Sequence, residues 1–163
     1  MPLNAELKNL ILNRFARIRT GLTVGFGDDS VLEDLREARG GLWLSVEEGR
    51  YFPFENAQFE VVVLHPRVLD YETIREINRI LVPAGCVFFS VEAKTHKHDG
   101  WTMVDLYRLV REGFDIVSLR RPKWYTFGFG EQIISVCLRK KTWRSHKGFV
   151  RDGAIPFTPF KDV

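Results

Sequence analysis

The chain has 163 residues, of which 45% are hydrophobic and 28% are charged, a balance typical of a soluble single domain. Its net charge of +3 is too small to indicate a nucleic-acid-binding protein by itself. There is no run of about eighteen apolar residues and no basic N-terminal leader, so we expect no membrane-spanning helix, no secretory signal and a cytoplasmic protein.

The N-terminal part predicts a helix followed by a strand. Apolar residues from Leu7 to Ile18 recur at spacings of three and four, which indicates an amphipathic helix. Asn4 is placed to cap its start, and Gly21 is placed to end it. The apolar run over residues 22–26 predicts the first strand.

Further along the chain, helix-like and strand-like segments alternate. Asp29 or Ser30 is placed to cap a helix that Gly40 and Gly41 end. Mainly apolar runs such as 59–64, which contains one charged residue, Glu60, are typical of parallel strands that are covered on both faces. The remaining predicted strands are 42–46, 59–64, 86–91, 114–119 and 132–138, and the predicted helices are 31–38, 70–81 and 101–112.

This alternation predicts an α/β protein with a doubly wound, Rossmann-like, mostly parallel sheet. No helix-like segment separates the last two strands, so we expect them to pair antiparallel as a C-terminal hairpin at a sheet edge. A single domain is predicted over residues 1–141, and an extended tail over residues 142–163.

One segment is more specific than the rest. Glu48 precedes the loop Tyr51-Phe-Pro-Phe54, then an apolar strand and a helix follow, and the segment closes with Arg79-Ile-Leu-Val-Pro-Ala-Gly85. This order resembles the middle of class I S-adenosylmethionine-dependent methyltransferases, in particular type-11-like small-molecule methyltransferases. Their pattern reads roughly Asp-Ala-x-x-Leu-Pro-Phe-x-x-x-x-Phe-Asp-x-Val, then Arg-Val-Leu-Lys-Pro-Gly-Gly. The resemblance covers residues 21–140 and implies a Rossmann-like fold, S-adenosylmethionine as cofactor, and methyl transfer.

The resemblance assigns the loop after the first strand to the cofactor. Gly25 and Gly27 match the first two glycines of the pattern Asp/Glu-x-Gly-x-Gly-x-Gly, and glycine lets the backbone approach a ligand closely. Asp29 replaces the third glycine. Thr23 replaces the acidic residue that binds the methionine amino group. These departures make the chain similar to a degenerate member of the family.

The resemblance also assigns residues after the second strand. Glu48 matches the acidic residue that accepts a hydrogen bond from the adenine amine, and Gly49 stands where neighbours of the adenine ring lie. A full-length core has two strands and a helix between the glycine-loop helix and this position, whereas this chain has one strand. One βα unit is therefore predicted to be missing, and Glu47 would serve the ribose hydroxyls.

Histidines offer further candidate residues. His65 follows the strand 59–64, in a loop that borders the methionine end and the methyl acceptor in the resembled family. It can act as a base or orient the acceptor, and the alternative is a structural role. His96, His98 and Asp99 lie together in a polar loop, but no further Cys or His joins them, so no metal site is predicted.

The C-terminal third of the chain is basic. Residues 120–151 hold nine Lys and Arg against one acidic residue, Glu131, and aromatic residues lie among them. Such a segment is either a solvated face or a surface for an acidic or nucleic-acid partner. Cys86 and Cys137 lie in strand-like runs and are predicted to be buried, reduced thiols.

Three functions stay open at this point. The first is a methyltransferase with an unidentified methyl acceptor and His65 as candidate catalytic residue. The second is a binding or regulatory module that keeps the fold without catalysis and has a protein partner or a second copy of itself. The third is an RNA- or nucleotide-associated protein, which rests on the basic segment alone. The predicted cofactor-binding residues are Gly25, Gly27, Glu47, Glu48, Gly49 and His65.

Overall fold

A computed structural model describes residues 3–67, 69–120 and 132–142 of the chain. Most of the predicted loop over residues 120–131, and all but the first residue of the predicted tail, lie outside these ranges. The helices are α1 (Ala5–Arg14), α2 (Ser30–Arg39), α3 (Tyr71–Ile80) and α4 (Met103–Val110). The strands are β1 (Thr20–Val24), β2 (Leu42–Val46), β3 (Phe59–Leu64), β4 (Leu81–Glu92), β5 (Phe114–Arg120) and β6 (Ile133–Lys140).

The strands form one six-stranded sheet in the order β2-β1-β3-β4-β6-β5. Strands β1 to β4 run parallel, and β6 pairs antiparallel with both β4 and β5. The predicted doubly wound, Rossmann-like, mostly parallel sheet with an antiparallel C-terminal pair is confirmed. Among the described residues, β2 is the one strand between α2 and β3, as the predicted loss of a βα unit requires.

Helices cover both faces of this sheet. Helices α1 and α2 pack on one face, and α3 and α4 pack on the other. On the second face, Ile74, Ile77 and Ile80 of α3 lie against strand residues such as Val62 and Phe89. Strands covered on both faces favour apolar side chains, which explains the apolar run over residues 61–64 of β3. Glu60, the charged residue of this strand, is half-buried and accepts a hydrogen bond from the Arg19 N–H at 2.9 Å. None of the helices in the described ranges has the length and apolar character that crossing a bilayer requires.

The first helix is shorter than predicted. Asn4 caps it, because its side chain accepts a hydrogen bond from the Glu6 N–H at 2.8 Å, but the helix ends at Arg14 and not at Gly21. Phe15 already has extended backbone, with φ −124° and ψ 121°. Gly21 lies inside β1 instead, where a Cβ atom would approach the ring of Trp43 to 2.4 Å. The predicted helix end was therefore wrong, because that glycine makes room for a ring of the neighbouring strand.

Cys86 and Cys137 lie on neighbouring strands in the core beneath α1, with 1% and 2% of their surfaces exposed. Both are free thiols, in agreement with the prediction. A hydrogen bond with the Cys137 thiol, together with the Arg14 guanidinium at the end of α1, lowers the pKa of Cys86 to about 7. The same hydrogen bond, together with burial, raises the pKa of Cys137.

Candidate functional site

The strand order reverses between β1 and β3, so the carboxyl ends of these two strands form the topological switch point where ligands bind in open α/β sheets. The Gly25 N–H donates to the Val46 carbonyl at 2.9 Å, and the His65 N–H donates to the Val24 carbonyl at 2.8 Å. These two bonds tie together the loops that follow β1, β2 and β3.

Gly25 is the tightest point of this junction. Its φ is +81°, in the left-handed region that glycine tolerates, and a Cβ atom there would lie 2.7 Å from the His65 carbonyl oxygen. The close approach of the loops after β1 and β3 therefore requires glycine. The sequence predicted that the backbone of Gly25 approaches a ligand. In the structure, the backbone of Gly25 approaches the backbone of His65.

Glu48 spans the same junction from the other side. It follows β2, passes Gly25 and reaches the loop after β3, where both carboxylate oxygens accept a hydrogen bond from the Arg67 N–H at 3.1 Å. Its Cβ atom lies 3.8 Å from the place where a Gly25 Cβ would stand. The fold thus brings Gly25, Glu48 and His65 together, although they lie up to forty residues apart in the sequence.

The other predicted cofactor residues lie on the same edge but point to more open surroundings. Gly27 has φ +77°, and none of the described residues has an atom that would lie within 4 Å of a Cβ placed there, so this part of the structure leaves space beside it. Glu47 follows β2 directly and is exposed, and Gly49 is exposed as well. Whether these residues contact a cofactor stays a prediction.

Thr23 and Asp29 take positions that explain the two departures from the family pattern. Thr23 is fully buried, and its hydroxyl donates to the Leu44 carbonyl across the sheet at 3.5 Å. Asp29 is the N-cap residue of α2, but its side chain makes no capping hydrogen bond. The neighbouring Asp28 accepts hydrogen bonds from the Ser30 hydroxyl and N–H, which lower the pKa of its carboxyl group.

A cavity of about 820 Å³ opens at this edge of the sheet, within the range of small-molecule sites. Its walls come from the loops after β1 and β3, the end of β4, the residues before α4, and the N-terminal part of α1. The Phe26 and His65 rings pack together in its wall, with centroids 5.5 Å apart. The polar side chains of the wall are Asn4, His65, Arg67, Ser90, Glu92 and Asp99.

The predicted polar loop over residues 93–100 contributes to the cavity through its last residues. Asp99 and Gly100 line the wall, and Asp99 forms an ion pair with Lys94 at 3.6 Å. His96 and His98 are exposed and are not part of the lining. Within the described ranges, no three His, Cys, Asp or Glu side chains come together as metal ligands would.

Arg79 explains why the Pro-Phe segment and the later turn occur together in the sequence. Its guanidinium donates to the Phe52 carbonyl at 3.1 Å, to the Phe54 carbonyl at 2.7 Å and to the Asn56 side chain at 3.0 Å. It also forms an ion pair with the buried Glu76 one turn earlier in α3. Arg79 thus holds the loop over residues 47–58, which carries Glu47 and Glu48.

Sequence reasoning missed two parts of the cavity wall. Leu3, Asn4 and Leu7 of the N-terminal segment line it, although this segment lies far from the switch-point loops along the chain. Phe26 lies between the two predicted glycines and was predicted to end the first strand, but it follows β1 and is buried against His65. An aromatic residue between two glycines is the one sequence signal that could have indicated a packed wall.

Comparisons with known proteins show which solved structures have a similar fold. No family model matches the sequence, and no curated protein matches it. A S-adenosylmethionine-dependent methyltransferase structure from Methanosarcina mazei is 14% identical, with a TM-score of 0.64, and the alignment covers 86% of this chain and 99% of that one. A chain from the Haloferax volcanii complex of the Trm112 activator with a methyltransferase is 16% identical, with a TM-score of 0.64 and coverages of 83% and 89%.

A third solved structure carries a ligand. It is the Burkholderia thailandensis 1,6-didemethyltoxoflavin-N1-methyltransferase with bound 1,6-didemethyltoxoflavin and S-adenosylhomocysteine. It is 16% identical, with a TM-score of 0.59, and the alignment covers 85% of this chain and 78% of that one. The chain therefore has the fold of the class I S-adenosylmethionine-dependent methyltransferases, as its sequence pattern indicated.

Proposed function

We propose that this protein is a S-adenosylmethionine-dependent methyltransferase that acts on a small acceptor. The observation that carries the proposal is the junction of Gly25, Glu48 and His65 at the switch point, beside a cavity of about 820 Å³. Ligands of doubly wound folds bind at this point of the sheet. The family pattern places its cofactor residues on these same loops.

The residues present fit the nucleoside end of the cofactor. Glu47 and Glu48 supply carboxylate oxygens at the end of β2, and such oxygens accept hydrogen bonds from hydroxyls and from an exocyclic amine. The open space beside Gly27 admits a ligand close to the backbone. The fit is weaker at the amino-acid end, because the buried Thr23 offers no charge to an ammonium group.

The cofactor, when bound, supplies a methyl group that is already activated for transfer. What remains for the chain is to orient the acceptor, to exclude water and to remove a proton. His65 lines the cavity, and the packed Phe26 ring restricts the orientations of its imidazole. An imidazole nitrogen of His65 would take up the proton that the methyl acceptor loses. This is the base role, one of the two functional roles expected for His65 from the sequence.

Calorimetric titration with S-adenosylmethionine and S-adenosylhomocysteine tests the proposal. We expect a dissociation constant below about 100 μM, or roughly −5.5 kcal/mol. Glu48→Gln keeps one oxygen for the Arg67 N–H but removes the charge, and we expect it to weaken binding by about tenfold, or roughly 1.4 kcal/mol. The matched control is Glu37→Ala, since Glu37 is an exposed glutamate on α2, and its affinity should not change.

The proposal fails if neither compound produces heat at millimolar concentration while circular dichroism shows a folded protein. If binding is seen, His65→Ala separates the two roles of the site. We expect it to abolish turnover once an acceptor is found. Cofactor affinity within about twofold of wild type would assign His65 to the acceptor, whereas a larger loss would assign it to cofactor binding.

A second candidate function is a methyltransferase-like binding or regulatory module. The observation that favours it is the buried Thr23, whose hydroxyl is already engaged by the Leu44 carbonyl. Thr23→Asp tests it: a module has no use for this carboxylate, whereas a weak cofactor site should bind S-adenosylhomocysteine more tightly. The RNA-associated alternative rests on residues 120–151, most of which lie outside the described ranges, and no structural observation favours it.

A further inference from the structure

Strand β2 lies at the edge of the sheet and pairs with β1 alone among the described strands. Its Leu42 N–H donates to the Arg19 carbonyl at 2.8 Å, and its Val46 carbonyl accepts from the Gly25 N–H at 2.9 Å. Backbone groups alternate sides along a strand, so residues 42, 44 and 46 turn theirs toward β1. The N–H and C=O groups of Trp43 and Ser45 therefore face outward from the sheet.

The side chains of β2 differ from those of an ordinary protected edge. Leu42 is 66% exposed and Leu44 is 38% exposed, on the sheet face that α3 and α4 cover elsewhere. Between Leu42 and Val46 the strand has no charged residue, no proline and no irregularity in its pairing with β1. Natural edge strands usually carry such features, because they prevent pairing with another chain.

We propose that β2 pairs antiparallel with β2 of a second copy of this chain, with Leu44 on the twofold axis. In this register, Trp43 of one subunit exchanges both backbone hydrogen bonds with Ser45 of the partner subunit. By symmetry, Ser45 of the first subunit does the same with Trp43 of the partner subunit. Leu44 then faces Leu44 of the partner subunit as a non-hydrogen-bonded pair. The outward groups of both strands are satisfied, and the two sheets continue into one.

The occupant is a second copy because the strand is complementary to itself. Leu42, Leu44 and Val46 are all apolar, so reversal about Leu44 places Leu42 opposite Val46 of the partner subunit. On the opposite face the large Trp43 lies opposite the small Ser45 of the partner subunit. A single register thus matches apolar with apolar side chains on one face and large with small on the other.

The charges beside β2 fit the same arrangement. Arg36 and Arg39 precede the strand, and the exposed Glu47 follows it, whereas the Glu48 carboxylate is engaged within the subunit by the Arg67 N–H. Arg36 is exposed, whereas Arg39 is engaged by the carbonyl oxygens of Phe15 and Leu12 at 2.7 and 3.1 Å. Antiparallel pairing lays the basic end of one strand along the acidic end of the other. A parallel arrangement of the two edges would bring like charges together.

Sedimentation velocity over a concentration series tests the inference with the full chain. We expect a monomer–dimer equilibrium with a dissociation constant on the order of 10 μM, because the interface is small. Leu44→Lys places two ammonium groups on the axis and should weaken the dimer by roughly tenfold or more. The control is Val104→Lys, since Val104 on α4 is also apolar and 56% exposed, and it should not change the equilibrium.

A mixing experiment tests the register itself. Leu44→Lys and Leu44→Asp should each be monomeric alone, and an equimolar mixture should form a dimer, because only this register sets position 44 against itself. In addition, Leu44→Cys should form an intersubunit disulfide with oxidised glutathione, since Cα atoms of a non-hydrogen-bonded pair lie about 4.5 Å apart. Val104→Cys is the control.

Three outcomes would overturn the inference. The wild-type chain could sediment as a monomer at about 200 μM, roughly twenty times the expected dissociation constant. It could form a dimer that Leu44→Lys leaves intact, in which case another surface is the interface. The lysine and aspartate variants could fail to associate when mixed although both are folded by circular dichroism, which would exclude the register.

Discussion

Two loops at the carboxyl edge of the sheet are held in place by different means. The loop over residues 47–58 is held by a side chain, because Arg79 donates hydrogen bonds to the Phe52 and Phe54 carbonyls. The loop over residues 25–29 is held by backbone torsions, with φ +81° at Gly25 and +77° at Gly27. The first loop depends on Arg79 of α3, which is ion-paired with Glu76, and the second depends on two glycines with positive φ.

The difference indicates which loop is fixed before a ligand binds and which loop leaves space for the ligand. An anchored loop keeps its conformation without a ligand, and in this loop the carboxylate of Glu48 is also held by the Arg67 N–H. In the glycine loop, Gly25 packs against the His65 backbone, whereas the backbone of Gly27 is uncovered among the described residues. Substitutions at the anchor should therefore affect stability first, whereas substitutions in the glycine loop should affect ligand binding as well.

The largest effect is expected for Arg79→Ala. The change removes three hydrogen bonds to the loop and leaves the buried Glu76 without its ion-pair partner. We expect the free energy of unfolding to fall by about 2–4 kcal/mol, because a buried group that loses its charged partner keeps its desolvation cost. Urea unfolding followed by circular dichroism measures this change.

The control for that change is Arg75→Ala on the same helix. Arg75 is exposed, and the expected loss is less than about 0.5 kcal/mol. Equal losses for the two arginine variants would show that the anchor adds nothing beyond the helix propensity of arginine.

A smaller effect on stability is expected for Gly25→Ala. The new Cβ atom would lie 2.7 Å from the His65 carbonyl oxygen, and the residue would keep a positive φ. We expect a loss of about 1–3 kcal/mol in the free energy of unfolding. The loops after β1 and β3 must move apart, so calorimetric affinity for S-adenosylhomocysteine should fall too.

Gly27→Ala separates torsional strain from the close approach. Gly27 shares the positive φ, but no atom lies within 4 Å of its Cβ position, so about 1 kcal/mol of strain is expected. If both variants lose the same stability, the approach of Gly25 to His65 is not what requires glycine.

The smallest effect, of opposite sign, is expected for Ala84→Gly. Ala84 has φ 64° near the start of β4, in the segment Pro83-Ala-Gly85 where the pairing with β3 shifts register, and the resembled family has glycine at this position. Relief of the left-handed conformation should raise the free energy of unfolding by roughly 0.5–1 kcal/mol, after the larger backbone entropy of glycine in the unfolded chain is subtracted. Ala38→Gly in α2 should instead lower it by about 1 kcal/mol.

The mostly parallel sheet and the antiparallel pairing of its last two strands could be predicted because local pattern and topology agree. The apolar run over residues 61–64 of β3 indicates burial on both faces, and the absence of a helix-like sequence pattern between residues 119 and 132 predicted the antiparallel pairing of β5 with β6. The convergence of Gly25, Glu48 and His65 also followed, because the carboxyl ends of neighbouring parallel strands meet at one edge.

Contacts between distant segments could not be predicted from local pattern. Phe15 and Ile18 continued the spacing of α1, yet they pack on the same core from extended backbone, since burial and not helix geometry fixes their positions. The engagement of Arg79 with loop carbonyls depends on the docking of α3 beside residues 52–56. The lining of the cavity by Leu3 and Leu7 depends on the docking of α1 in the same way.

The buried thiol of Cys86 beneath α1 allows the opening of this helix to be measured by alkylation. Cys86 is a free thiol with 1% of its surface exposed, so an alkylating reagent cannot reach it while α1 is packed on the sheet. Access requires α1 to separate from the sheet, because Cys86 lies in the core beneath this helix. The rate at which Cys86 is alkylated therefore reports how often α1 separates from the sheet. The first turn of the same helix forms one wall of the ligand cavity.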